Sequence, residues 1–360
     1  MLEVNNIASQ VLLNCSISDA RHAGLYSVCG LALRLRDLYK WEKGLYPWQE
    51  EESSVMLEWI GEKEEKWESL SGKDFSDIEI LGRNYDPFDV EGINKAIEVY
   101  GIFYGAGYVH SLKPSFFLAF LDQKTDIEGY PVYYLGRELA RDLLTVPAFS
   151  QDGCILIRKE SAELYLWNQM FFIKKSGKQA LGFALKSYGV SDGSPDMLHQ
   201  NLAKISAAEL EGYVYHELGE IKDRVFNRRI WRALVTKFAH TPIELLARSV
   251  KDLLADTNDY GKLKHIARER REGSLAFHVA FLDGLRKELF PELIVAFQEF
   301  SGTRDWQVIE NAVQTGFDTA RNLAQVLSGI YLEGEKRDDM KWVEYEIEKE
   351  LLAPLGIVKV

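Results

Sequence analysis

The sequence predicts a mostly helical α+β protein: an N-terminal helix pair with a small antiparallel sheet, then a C-terminal antiparallel helical bundle. Three observations predict it. Apolar residues recur at three- and four-residue spacing through both ends of the chain, the pattern of amphipathic helices. Strand-like runs are confined to about residues 116–157, too few for a doubly wound α/β fold. After Ser206 the helical stretches are joined by short loops, as in an antiparallel bundle. The composition, 46% hydrophobic and 27% charged over 360 residues, excludes a disordered or collagen-like chain. That length leaves room for two domains, expected at 1–190 and 191–360.

Ser18 and Asp19 supply cap chemistry for a long helix to about Glu42, with Leu25, Val28, Leu31, Leu35 and Leu38 at helical spacing. Gly44 and Pro47 stop it. A second helix, about Glu50 to Leu70, turns Met56, Trp59, Ile60 and Trp67 inward and Glu58, Glu62 and Glu65 to water. Residues 71–87 read as a connector and Asp89–Tyr100 as a helix. Gly101–Tyr108 sets three glycines among aromatics without a GxGxxG or P-loop pattern, so close backbone packing is expected there. A ligand pocket along Tyr104 to His110 is the alternative. Phe116–Leu121 and Val132–Leu135 read as strands about a turn at Asp126–Gly129. A short helix, Arg137 to Leu144, and a third strand, Cys154–Ile157, follow; Glu160–Lys174 returns to helix. Gly189–Pro195 is the clearest linker. Beyond it, a Ser206–Glu209 capping box opens a helix to about Phe226, and Thr241-Pro242 opens one to about Ala255. Further helices start at Ser274, reaching about Leu289, and at Thr303 or Asp305, reaching about Leu332. Lys336–Leu352 forms the last.

No run approaches the ~20 apolar residues of a membrane span, and the start lacks the basic and apolar regions of a secretory signal. Cys15, Cys29 and Cys154 are few and widely spaced, and read as reduced, buried thiols. A cytoplasmic protein without a membrane segment is expected. The net charge of −12 argues against general nucleic-acid binding. It leaves Arg224, Arg228, Arg229 and Arg232 as the one cluster where phosphate contact is conceivable. The charge is uneven. Glu42–Glu91 holds 15 acidic residues against 5 basic, and Ile221–Lys287 holds 15 basic against 8 acidic.

The run Asp19-Ala-Arg-His-Ala-Gly-Leu-Tyr-Ser-Val-Cys-Gly-Leu-Ala-Leu-Arg-Leu-Arg-Asp-Leu-Tyr-Lys-Trp-Glu42, with Tyr46-Pro-Trp48, resembles the start of an uncharacterised bacterial protein family. Tyr215-His-Glu-Leu-Gly-Glu220, His240-Thr-Pro-Ile-Glu244 and Phe281-Leu-Asp-Gly-Leu285 are similar to segments of that family too. The resemblance spans most of the chain. The family has no assigned activity, so it implies a bacterial cytoplasmic protein and transfers no catalytic residue.

Tyr215–Glu220 carries the most chemistry. It shares the first two residues of the zinc-protease pattern HExxH, but Glu220 stands where the second histidine belongs, which argues against that enzyme class. At ~100° per residue, Leu210, Val214, Leu218 and Ile221 form an apolar stripe, and Glu209, His216, Glu220 and Asp223 cluster away from it. Glu217 falls at the stripe's edge. That polar face is either solvated or lines an interhelical carboxylate/imidazole site, since His216 and Glu220, one turn apart, can both reach one metal ion. His278 lies on an apolar face, where a hydrogen-bonded core histidine is the ordinary use. The steps His216/Glu220 and His278/Asp283 are similar to ligand steps of hemerythrin-type di-iron bundles, although no HxxxH pair exists. The metal candidates are therefore His216, Glu217, Glu220 and His278, for a divalent transition metal. No GxSxG is present, and no cysteine has an identifiable histidine partner.

These observations predict an interaction or regulatory protein that self-associates or binds a protein partner through its acidic and basic surfaces, with a metal-binding helical protein or metalloenzyme as the alternative. The first expects an oligomer that weakens with salt. Size-exclusion chromatography at 50 mM and 1 M NaCl checks it, on the order of a four- to fivefold change in screening length; a single monomer peak in both overturns it.

Overall fold

The computed structural model describes residues 3–109, 112–144, 146–190 and 194–358. It is α+β and mostly helical, in two compact units: Met1–Phe171 with Leu202–Ala207, and Phe172–Asn201 with Ala208–Val360.

The first unit starts with α1 (Val4–His22). The long helix expected from Ser18 is in fact two. α1 begins at Val4, a short 3-10 turn at Ala23–Leu25 interrupts it, and α2 (Val28–Lys43) restarts with the Ser27 side chain accepting from Gly30 N–H. α3 (Ser53–Leu70) packs on α1 and α2, burying Trp59 and Trp67 with Leu35, Leu38 and Tyr39. The expected connector contains a hairpin, β1 (Ile78–Ile80) and β2 (Arg83–Tyr85). α4 (Val90–Ile97) is capped by Asp89.

The main sheet has the order β3 (Ile102–Tyr108), β4 (Pro114–Ile127), β5 (Tyr130–Arg141), β7 (Cys154–Arg158), β6 (Ala148–Gln151). It is mixed rather than antiparallel, because β7 inserts between β6 and β5 and runs parallel to β5. The glycine-rich segment is strand β3. A Cβ at Gly105 would lie 2.0 Å from the Phe117 ring, so the expected close packing takes place within a strand. Tyr104 is buried, its hydroxyl donating to Pro87 O at 2.6 Å, a core role rather than a pocket wall. His110 lies outside the described residues. One sheet face packs Ile102, Tyr104, Phe116 and Leu118 against α1 and α4; the other gathers Phe103, Phe117, Leu135 and Leu156. α5 (Lys159–Phe171) packs on β5 and β7.

The helix expected at Arg137–Leu144 is strand β5 up to Arg141. Glu138, Arg141 and Asp142 of this segment belong to a buried charge network. Glu138 takes a two-pronged hydrogen bond from Arg158 at 2.8 and 2.9 Å and a third from Ser161 at 2.8 Å. Lys113, 1% exposed, stands between Asp19 at 3.0 Å and Asp142 at 3.1 Å. Leu143 N–H donates to Asp19 at 3.1 Å, Ser18 to Pro114 O, and the Cys15 thiol to Phe116 O at 3.2 Å. Ser18 and Asp19 thus fasten α1 to the sheet instead of capping a helix. Cys154 is half-buried and Cys29 exposed, so only Cys15 has the buried position expected of all three.

The second unit is helical: α6 (Lys178–Ser187), α7 (Pro195–Lys222), α8 (Arg228–Lys237), α9 (Pro242–Thr257), α10 (Lys262–Arg268), α11 (Glu272–Ala280), α12 (Gly284–Leu289), α13 (Pro291–Thr303), α14 (Trp306–Arg337) and α15 (Met340–Ile347). α9 is central, contacting α8, α10, α12 and α14. α7 starts at Pro195 behind a Ser194 cap. The expected Ser206–Glu209 cap is mid-helix, and Glu209 is buried, accepting from Ser274 at 2.7 Å and from the Tyr188 hydroxyl. The single helix expected over Ser274–Leu289 is α11 and α12, parted at Phe281–Asp283 with Gly284 at φ +53°. Residues 191–193 of the expected linker lie outside the described residues. Among the described residues no helix is long and apolar enough to cross a membrane.

The Asp19–Lys113–Asp142 cluster sets a pH dependence. Burial raises Asp19 from 3.8 to about 7, only partly opposed by Lys113, whereas at Asp142 burial is outweighed by Lys113 together with hydrogen bonds from Ser115 and Leu144 N–H and the charge of Arg158, so its pKa is lowered. A carboxyl with a raised native pKa binds its proton more tightly in the folded state, so its contribution to stability falls as pH climbs from 4 towards 7. Asp19→Asn keeps a neutral group there. Its stability relative to the parent is expected to improve by on the order of 2 kcal/mol between pH 5 and pH 8, as checked by urea unfolding at the two pH values; an equal difference at both would overturn this.

Candidate functional site

Two residues of α7 and one of α9 make the only group among the described residues that offers three metal-binding side chains in reach of one another. One ligand atom each from His216, Glu220 and Asp252 lie within 4.8 Å of the other two. The backbone explains why. Val214 and Leu218 are fully buried, which fixes the rotation of α7 and turns His216 and Glu220 to the edge of its apolar stripe. Gly219 then lets α7 and α9 meet: a Cβ there would lie 2.0 Å from Ala255 O. The Asn258 side chain donates to Gly219 O at 2.9 Å and ties the C-terminal end of α9 to the same point. Asp252 and Asp256 flank Ala255 on α9, one turn apart, and so face His216 and Glu220.

His216 is held from one side. Its Nδ1 is 2.8 Å from Asp256 Oδ1, and Asp256 is buried. Its Nε2 faces Glu220 Oε1 at 3.8 Å. Glu220 also pairs with Lys251 through Oε2 at 2.5 Å, and the Lys251 ammonium lies 4.2 Å from the centre of the Trp231 ring. His216, Glu220 and Asp252 are half-buried, so the group can be reached from solvent.

The electrostatics are those of an imidazolium ringed by carboxylates. Burial alone would lower the His216 pKa, but Asp256, Glu220 and Glu217 outweigh it and raise it to about 10. Burial opposes ionisation of Asp256, yet His216 holds it well below the usual carboxylate range. Glu220 is lowered in the same way by Lys251 and His216. At Asp252 burial wins and the pKa is raised. His278 is lowered to about 3 by burial, against the pull of Asp256, so it is a neutral imidazole at pH 7.

Of the residues singled out in the sequence, His216 and Glu220 come together. Glu217 is buried within electrostatic reach of His216 but outside the three-residue group. His278 on α11 is likewise outside it, yet within electrostatic reach of Asp256 and His216. Asp283 pairs instead with Lys174 at 2.8 Å. His240 N–H donates to Glu244, whose other oxygen takes Arg248 at 2.8 Å, so that pair closes a helix start. Sequence reasoning missed Asp252 and Asp256. Their signal was present: Asp252-Leu-Leu-Ala-Asp256 repeats the four-residue step of His216 and Glu220.

Two family models match the chain, the N-terminal domain of a family of unknown function, DUF6866, over residues 6–158 and its C-terminal domain over 163–350. The chain belongs to the DUF6866 family. No curated protein and no solved structure matches it. The His216 group lies wholly inside the DUF6866 C-terminal domain, and the sealed Lys113 network inside the N-terminal one.

Because the DUF6866 site depends on the α7–α9 approach, Gly219→Ala is expected to destabilise by about 1–3 kcal/mol through overpacking. Gly182→Ala in α6, with open space at its Cβ, is expected to gain about 0.5–1 kcal/mol from helix propensity. Urea unfolding of both variants checks the contrast, and equal effects would overturn the close-approach argument.

Proposed function

We propose that the chain is a metal-binding helical protein that holds a divalent transition metal on His216, Glu220 and Asp252, with Asp256 orienting the histidine. The observation that carries this reading is the His216–Asp256 hydrogen bond. A ligating histidine characteristically gives its second ring nitrogen to a carboxylate, which fixes the ring and the tautomer. Here Nδ1 is so engaged, Nε2 faces Glu220 at 3.8 Å, and Asp252 completes a group whose ligand atoms lie within 4.8 Å of one another. A metal at Nε2 would replace the positive charge those carboxylates now neutralise on the imidazolium. One imidazole with two carboxylates is a nitrogen/oxygen donor set that suits manganese, iron or zinc rather than a thiolate-preferring ion. Three protein donors leave coordination positions for a substrate or water, as catalytic sites do and closed structural sites do not.

A second reading, a protein-binding or self-associating surface, is supported by α2. Val28, Cys29 and Leu33 are exposed on it, Val28 at 86%, and Leu25 is exposed in the 3-10 turn just before it. The basic stretch from Ile221 supports it less, since Arg229, Arg270 and Arg271 are neutralised by Glu335, Glu310 and Glu211.

The metal reading is checked by elemental mass spectrometry on protein purified without chelator or affinity metal, followed by titration of the metal-free chain with Mn2+, Fe2+ and Zn2+. One ion per chain is expected. His216→Ala and Asp252→Asn are expected to abolish tight binding, and Asp256→Asn to weaken it about 10–100-fold. No metal in the wild type, even after anaerobic reconstitution, overturns the reading.

A further inference from the structure

We propose that the His216 site binds a phosphate-type oxyanion, gripped between the metal and the side chains of Lys262 and Arg286. This rests on the metal reading above. Lys262 opens α10 and lies along α7, its Cε 3.1 Å from where a Cβ on Gly212 would stand. Arg286 belongs to α12. α10 and α12 both pack on α9, the helix that carries Asp252 and Asp256. Lys262 is within electrostatic reach of Asp256, and Arg286 of Asp252. Both also act on His278, the neutral imidazole beside them.

Neither cation is committed. Among the described residues, neither Lys262 nor Arg286 has an ion-pair or hydrogen-bond partner, although both are half-buried. The Lys262 ammonium only lies 5.7 Å from the centre of the Tyr213 ring. Lys251, on the same side of α9, shows the contrast, being bound to Glu220. Half-buried cations without a direct ion-pair partner are unfavourable, and these two act on carboxylates of one site. The charge count points the same way. With a dication in place of the imidazolium proton, Glu217, Glu220, Asp252 and Asp256 supply four negative charges. The metal with Lys251, Lys262 and Arg286 supplies five positive ones. An anion completes the balance. A tetrahedral oxyanion has enough oxygens to reach a metal, an ammonium and a guanidinium fork on different helices at once, whereas a carboxylate has two. Metal and cation clamps of this kind are how phosphoryl groups are held.

The test is isothermal titration of the full chain, Mn2+-loaded and metal-free, with inorganic phosphate, methyl phosphate and acetate. Mn2+ titrations of Lys262→Met and Arg286→Gln run alongside. Phosphate is expected to bind the loaded protein at least tenfold more tightly than the metal-free protein or than acetate binds. Each variant is expected to lose at least tenfold in phosphate affinity while binding Mn2+ as well or better, because a site stripped of a cation attracts a dication more. Retained Mn2+ binding also shows that the variants are folded. Methyl phosphate binding as tightly as phosphate assigns a phosphate monoester as the ligand, and its exclusion assigns the free anion; either supports the proposal. Bound Mn2+ with no phosphate binding, acetate binding equally well, or unaffected variants overturn it and leave the metal reading standing. Absence of Mn2+ binding overturns both.

Discussion

The contact on which the site depends is between two backbones. α7 and α9 touch at Gly219 and Ala255 with no room for a side chain between them. Once they do, the polar residues one turn to either side are forced together. Leu218, beside Gly219, is buried, and so are Leu253 and Leu254 beside Ala255. His216, Glu220, Asp252 and Asp256 therefore cannot rotate away into solvent without breaking apolar packing on both helices. Helices packed through larger side chains stand about 8–10 Å apart, and at the wider end of that range the hydrogen bond from His216 to Asp256 would not close. The glycine sets the distance, the leucines set the rotation, and the imidazole–carboxylate pairing follows.

Burial separates this cluster from the other concentration of charge. In the first unit, Asp19, Lys113, Asp142, Glu138 and Arg158 are each 2% exposed or less, and the bonds among them tie α1 and the main sheet together. Such a network leaves no approach for a ligand. Removing one partner would strand a charge where water cannot reach it, a loss of several kcal/mol, so its role is to fix the N-terminal unit in one arrangement. The His216 cluster has the opposite profile. Its orienting carboxylate, Asp256, is buried, while the residues it positions are half-buried. A sealed support beneath an accessible donor set is the arrangement a binding site needs.

Much of the helical framework was legible because periodicity reports burial directly. α3, α4, α9 and α14 lie close to where their apolar spacing puts them. The failures have identifiable causes. β3 was missed because alternate glycines at 105 and 107 erase the period-two pattern that marks a strand, and their value is only visible once Phe117 is seen against Gly105. Arg137–Leu144 reads as a short helix, yet Glu138 and Arg141 are buried in β5, where Glu138 pairs with both Arg141 and Arg158 and accepts from Ser161. The break between α1 and α2 at Ala23–Ser27 was hidden because the apolar repeat runs across it: Leu25 and Val28 are exposed, while Leu35 and Leu38 of the same repeat are buried with Trp59 and Trp67 of α3.

The candidate site was half legible for the same reason. A four-residue step between polar groups shows on one helix, so His216 and Glu220 could be paired from sequence. Asp252 and Asp256 repeat that step, but nothing local says which helix they face, in a chain that carries 55 acidic residues. What selects those two is the α7–α9 contact, which is a tertiary fact. The same contact bears on the wider charge pattern. The basic excess after Ile221 reads as a surface for an acidic partner, but several of its arginines are satisfied within the unit. Lys262 and Arg286 have no ion-pair partner among the described residues, and both act electrostatically on the carboxylates around His216. As it stands, the four carboxylates are matched by His216, Lys251, Lys262 and Arg286; a dication in place of the imidazolium proton would leave one positive charge over, which a bound anion would offset.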